Sequence, residues 1–378
     1  MYQAEVKKLT HFAPLWIYLI MCLLLNVIII FNNGHVDYFN DISSVAKVSG
    51  QKMDESVYAK LKGVPESNAK EDVLYIADHV QPLYQNYDVD SELTEYYMNI
   101  FSLTPQAIRI IERKYESLQD RVDHLAEIKA DMDLYAGPMT DQSYKNLFYT
   151  LLKAISGESC IIAMLLTVYL LGYERNAKTD QYFNSTKTGR KLFRCKLTVS
   201  LLASISVFLL LTVLSLSICF LHWDYSGIWD ANVSSQFHTV HDLTLVKPFI
   251  TLIDFTVKGY LAAVIALSTV LVMIAVLFAA IVGLLIRNNY IAGLFTLLIP
   301  ALGLLVTTLA GDLKMWVLYM YSSLQPVTIW MAQPVWFSEG GFNAPCMWFE
   351  VKGLVLSSVL LSFILFKAVQ LSYRKDIV

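Results

Sequence analysis

A chain of 378 residues that is 56% hydrophobic and only 16% charged, with a formal net charge of -3 and a mean hydropathy of +0.48, has too little polar surface for a water-soluble fold. Soluble domains carry about 25% charged residues, so two or three ordinary soluble domains are excluded and a helical membrane protein is expected. The charge is unevenly placed: residues 33–146 hold 20 Asp/Glu against 11 Lys/Arg, and the rest 12 against 18.

A hydrocarbon layer of about 30 Å needs about 20 apolar residues in a helix. The first segment of that kind is Pro14 to Phe31, interrupted only by Asn26. Lys7 and Lys8 precede it as in a signal peptide. Its apolar run is too long for such a leader, however, and no small-residue cleavage site follows. Residues 33–146 then form an acidic insert without cysteine, hence without a disulfide framework. Its clearest element starts at Thr104-Pro105, an N-cap with proline at the first helical position. Ile108, Ile111, Tyr115, Leu118, Val122, Leu125 and Ile128 recur at helical steps, predicting one helix of about 25 residues. It is expected to pack on a shorter helix near Glu71 to Gln85, with Asp88-Val-Asp-Ser as the turn between them. Tyr58, Tyr75, Tyr84, Tyr87, Tyr96 and Tyr97 read as helix-packing residues.

Five more spans follow, near Ile155–Tyr173, Leu197–Leu221, Tyr260–Ile286, Tyr290–Ala310 and Gly353–Leu371. Arg175 to Lys196 is strongly basic, and Arg287, Lys367, Arg374 and Lys375 fall on the same side. By the positive-inside rule both termini are cytoplasmic and the insert is outside. Lys314 to Phe349 is aromatic but broken by Pro326, Pro334, Gly340, Gly341 and Pro345. It reads as re-entrant outer helices, with Trp316, Trp330, Trp336 and Trp348 in an interfacial belt. The expected fold is therefore an all-α polytopic membrane protein: residues 1–32 hold the N-terminal interfacial helix and first span, 33–146 a helical extracellular domain, and 147–378 the five further spans.

No P-loop, H-E-x-x-H or G-x-S-x-G motif occurs, and no catalytic site is assigned. His238-Thr-Val-His241 with Asp242 has metal-ligand chemistry but reads as a solvated outer loop, so no metal is assigned. Ionisable residues in spans are functional candidates. Glu158 and Asp254, with Pro326, mark a candidate outer pathway.

The most specific segment is Glu174 to Lys196. Its order of residues resembles the ABC transporter type-2 permease family: a Glu at the inner end of the second span opening a short helix, a Ser185-Thr186 turn, a Gly189-Arg190 pair, and Lys196 starting the next span. Lys178 stands where the family has a glycine. Glu5-Val-Lys-Lys8 is similar to the family's interfacial N-terminal helix, and Arg287-Asn-Asn289 to its inner turn. Six spans with a large insert after the first resemble a Firmicute-like subgroup of exporters. The resemblance implies a permease subunit in a bacterial plasma membrane. Two ABC ATPase subunits would bind ATP and Mg, this chain holding no cofactor itself, and a second permease chain, identical or homologous, would complete the pathway. It implies contact with membrane lipids, no nucleic acid, and export of a peptide, lipid or amphipathic drug. Glu174, Tyr182, Gly189, Arg190 and Glu5 are the implied ATPase-coupling residues. The competing expectation is a non-transporting membrane sensor or immunity protein whose outer domain binds a ligand.

Overall fold

In the computed structural model of the protein, residues 1–32, 34–100, 103–134, 139–177, 179, 189–242, 245–342 and 344–375 are described, with the backbone alone at 99–100, 189–190 and 372–375. A short helix, α1 (Tyr2–Thr10), leads into α2 (Ala13–Phe31). Leu19, Cys22, Asn26 and Ile30 of α2 are buried, at steps that place them on one helix face. The insert supplies α3 (Val36–Ser49), α4 (Ser56–Leu61), α5 (Asn68–His79), α6 (Glu95–Ile100), α7 (Pro105–Tyr115) and α8 (Leu118–Glu127). Then α9 (Thr140–Tyr144) passes through a π-helical stretch, Lys145–Leu151, into α10 (Leu152–Asn176). The expected boundary at residue 146 thus lies inside a continuous helix. The remainder is α11 (Gly189–His222), a hairpin of β1 (Thr239–Asp242) and β2 (Leu245–Pro248), α12 (Val257–Leu285), α13 (Asn289–Asp312), α14 (Trp316–Ser322), α15 (Pro326–Met331) and α16 (Phe349–Lys375).

Among the described residues six helices are long and apolar enough to cross a membrane, as in a multi-span membrane protein: Ala13–Phe31, Thr140–Asn176, Lys191–His222, Val257–Leu285, Asn289–Asp312 and Phe349–Leu371. They coincide with the six segments expected from hydropathy. α10 is central and packs on α2, α11, α12 and α13, while α16 packs on α12. Small residues permit the close approaches: a Cβ on Gly172 would sit 1.8 Å from the Asn289 side chain, and one on Gly157 would sit 2.6 Å from the Trp330 ring. α13 and α16 leave bare apolar faces, including Leu298, Leu302, Leu305, Val359 and Phe363. Such faces carry a large cost in water and none in hydrocarbon.

The insert does not form a core of its own. Phe39, Ile42, Val57 and Val73 from α3–α5 share a core with Trp223, Phe249, Tyr260 and Trp336. Tyr84, Tyr97, Ile111, Leu118 and Val122 share a second core with Ile250, Met320 and Phe342. The segments after α11 and after α13 are therefore structural parts of the same body. The single long helix expected from Thr104 is two helices, broken at Glu116–Ser117. α5 belongs to the first core, and it is the turn at Tyr84–Asn86 that packs on α8. Trp316 and Trp336 are buried inside the body instead of lying in a belt at its surface, while Trp330 and Trp348 are half-buried. Pro326 starts α15, where its missing N–H costs nothing.

Candidate functional site

Buried charges gather at both ends of the bundle, named here the insert end and the basal end, where α1 lies. At the basal end α1 buries Glu5 and Leu9. Leu9 packs with Leu166, Leu170, Cys195 and Val199, drawing α1 against α10 and α11. Glu174 lies one turn beyond Leu170, and Lys196 directly follows Cys195, so the same contacts bring four charges together. Lys8 Nζ bonds Glu5 Oε1 at 2.6 Å and Glu174 Oε1 at 2.7 Å. Lys196 pairs with the other oxygen of Glu174 and donates to the Leu170 carbonyl at 2.6 Å. Lys8 also lies 4.5 Å from the centre of the Tyr173 ring. Glu5 Oε2 is buried and unpartnered.

The neighbouring turn locks the same end. Arg175 donates to the carbonyls of Gly283 and Ile286 at 2.8 and 3.0 Å, satisfying the end of α12. Asn288 caps α13 through the amides of Tyr290 and Ile291, and Asn289 donates to the Gly172 carbonyl at 2.9 Å. Beside this cluster an apolar cavity of about 400 Å³ opens between α1, α2, α10 and α11, lined by Val6, Leu9, Leu15, Trp16, Leu166 and Val199 among others.

Among the five expected coupling residues, the structure brings Glu5 and Glu174 together through Lys8. Gly189 and Arg190 open α11, but their side chains, and Tyr182 and Lys178 altogether, lie outside the described residues. Glu174 is 7% exposed and faces Lys8 and Lys196 instead of solvent. The three expected pathway residues have separate neighbours. Glu158 meets Asn26 of α2, Asp254 pairs with Arg121 and His124 of α8, and Pro326 begins α15.

At the insert end a second ionic cluster joins four chain segments. Glu339 pairs with Lys247 and, at 3.3 Å, with Lys114. It also accepts from the Tyr115 hydroxyl at 3.0 Å and the Gly341 amide at 2.8 Å. Lys247 contacts Asp242 at 3.3 Å and the Tyr97 hydroxyl at 3.0 Å, and the Phe342 amide donates to Asp242 at 2.7 Å. Gly340 and Gly341 take positive φ to allow this loop. Burial alone raises a carboxyl pKa; for Glu339 the charges of Lys247 and Lys114 outweigh it and bring it down to about 2. Burial lowers the Lys114 pKa, while Lys247 is held well above its ordinary value because Glu339, Tyr97 and Asp242 outweigh its burial.

His238, expected in a solvated loop, is fully buried. It stacks on Tyr144 with ring centres 3.7 Å apart, meets the Tyr149 hydroxyl at 2.6 Å and the Val233 carbonyl at 3.0 Å, and burial lowers its pKa to about 3. Tyr144 and Tyr149, the latter 89 residues before His238 in sequence, close over the loop and exclude water from it. No group of three or more His, Cys, Asp or Glu that would suit a metal occurs among the described residues.

The insert-end cluster was not legible in advance, because its members lie at 97, 114–115, 242–247 and 339–342. Its one sequence signal was charge (Lys247, Glu339) inside aromatic, apolar stretches.

No protein-family model, no curated protein and no solved structure matches the chain.

Proposed function

We propose that the chain is the transmembrane permease subunit of an ATP-binding-cassette exporter, with the ATPase on separate subunits and the cargo a peptide, lipid or amphipathic drug. The observation that carries this reading is the Glu5–Lys8–Glu174–Lys196 cluster. It ties a short amphipathic helix to the ends of two long apolar helices, beside the basic connection between them. In this reading the basal end is cytoplasmic, the insert end is extracellular, and α14–α15 form a re-entrant outer hairpin. An ATPase seated at the basic connection would press on the start of α11, and Lys196 would pass the movement to Glu174 and α1. Glu174 then works as a positioning residue behind the ATPase contact, and Gly189, Arg190 and Tyr182 are left as the contact itself. A second permease chain and two ATPases complete the assembly.

Gentle-detergent purification of the tagged chain from its native membrane tests the reading. An ABC ATPase is expected to co-purify in stoichiometric amount, with hydrolysis that E174Q or R190A uncouples from transport. A chain that comes away without an ATPase, and whose ligand response needs no ATP, overturns the exporter and favours the sensor.

A further inference from the structure

α10 carries one carboxylate, Glu158, that the clusters above do not use. It lies about 27 Å along the helix from Asn176, at 1.5 Å per residue, within the apolar part of the bundle and nearer the insert end. It is half-buried. The Asn26 amide donates to its Oε2 at 3.0 Å and to Ser215 Oγ at 3.2 Å. Asn26 is wholly buried and its Oδ1 has no partner. Cys22 and Tyr18 lie beside the carboxylate. Among the described residues no Lys, Arg or His forms an ion pair with Glu158. The nearest lysine on its own helix, Lys153, is turned away, donating to the Met331 carbonyl at 2.9 Å and lying over the Trp330 ring.

An ionisable group in a spanning helix normally pairs within the bundle. Here the amide partner is a donor, which suits the ionised form, yet the counter-charge is missing. Below the carboxylate, Ile161 and Leu165 continue the same face of α10 toward the basal end, Ile161 half-buried and Leu165 exposed. The arrangement is a charged head site above an apolar track about 10 Å long, from helix rise.

We infer that Glu158, held by Asn26, is the binding site for an ammonium group on an amphiphile whose apolar tail lies along Ile161 and Leu165. Charge complementarity selects this occupant: a neutral or anionic head would leave the carboxylate unpaired in an apolar setting. Two sources share this chemistry, a transported cationic amphiphile and an aminolipid headgroup. Assigning the transported source rests on the exporter reading, whereas the binding itself does not.

The test is equilibrium binding to the purified full chain in neutral detergent, without ATPase or ATP. It compares a fluorescent dodecyl trimethylammonium with its uncharged dodecyl alcohol analogue. The wild type is expected to bind the ammonium probe at least about tenfold more tightly, the equivalent of 1.4 kcal/mol. E158Q, which can still accept from Asn26, is expected to lose that preference with an unchanged melting temperature. Equal affinity for the two probes in the wild type, which a carboxyl kept neutral by protonation would give, overturns the inference. So does a preference that survives E158Q. Phosphatidylethanolamine added as competitor separates the sources: displacement of the probe assigns the site to an aminolipid headgroup, and its persistence to a transported amphiphile. Failure here leaves the ATPase co-purification untouched, and failure there leaves this binding untouched.

Discussion

The two ends of the molecule each gather two carboxylates and two lysines, three of the four buried in each case, with Asp242 and Lys8 partly exposed, yet they are built to different standards. At the insert end both oxygens of Glu339 are engaged, by Lys247 on one side and by Lys114, Tyr115 and the Gly341 amide on the other. The members come from α6, α7, the hairpin and the loop before α16, so the loss of any one segment removes partners from buried groups on the others. At the basal end Lys8 is shared between Glu5 and Glu174, Glu5 keeps an unpartnered oxygen, and an apolar cavity adjoins α1. Replacing a buried ion pair by apolar groups is often neutral, whereas removing one partner is costly. The insert-end cluster therefore acts as a fastener for its four segments, and the basal cluster as a latch on a nine-residue helix.

The comparison is broken most directly at Glu339. E339Q leaves Lys114 and Lys247 buried with Asp242 as the remaining carboxylate, and such a loss costs about 3–5 kcal/mol. Thermal unfolding of the detergent-purified protein should show a large drop in melting temperature, or no folded protein. The double change E339M/K247M should recover part of it. A melting temperature unchanged in E339Q would show that the cluster fastens nothing.

E174Q should cost less, about 1–3 kcal/mol, because Lys8 is partly exposed and keeps Glu5, and Lys196 keeps the Leu170 carbonyl. Its sharper signature is local. Cys195 is buried under Leu9 of α1, so releasing the latch should raise maleimide labelling of Cys195 in a variant lacking the other four cysteines. Labelling that stays slow would mean the apolar contacts alone hold α1.

Acid acts on two buried groups outside the spans, His238 and Glu339. His238 has its pKa lowered from 6.5 to about 3 by burial, so the folded state keeps it neutral. That contribution is fully present above pH 6.5 and is lost as pH falls toward 3, because the unfolded chain takes up the proton first. Glu339, lowered from 4.5 to about 2, contributes above pH 4.5 and loses it as pH falls toward 2. Each group sets a slope of at most roughly 1.4 kcal/mol per pH unit. Melting curves should shift downward between pH 6.5 and 4.5 in the wild type and much less in H238F. A flat profile over that range would show that His238 is not held neutral.

Much of this was legible in the sequence where the cause is local. Hydropathy marks the six long helices, and Thr104 is an N-cap as read, accepting from the Ala107 amide. The break after Tyr115 was not legible, since Tyr115, Leu118 and Val122 keep helical spacing across it and all three are buried. Nor was the merging of the insert with the segments after α11 and α13. Those contacts depend on apolar side chains distant in sequence, and Lys314 to Phe349, which supplies part of them, read as interfacial helices. Glu174 was legible from its neighbours in the loop, but Lys8 as its partner was not, because the pairing spans 166 residues.

The smallest effect is expected at an ion pair whose geometry resembles that of the buried ones. Lys258 pairs with Asp230 near the start of α12, but their side chains are 63% and 69% exposed. Two hydrated side chains gain little by meeting, and holding them together costs rotamer freedom, so exposed pairs contribute about 0–1 kcal/mol. K258A should therefore shift the melting temperature by no more than the scatter between preparations. If it instead destabilised the protein as much as E174Q, burial would not be what separates fastener from ornament at the insert end. The contrast between Glu339 and Asp230 would then have to come from the backbone each one holds.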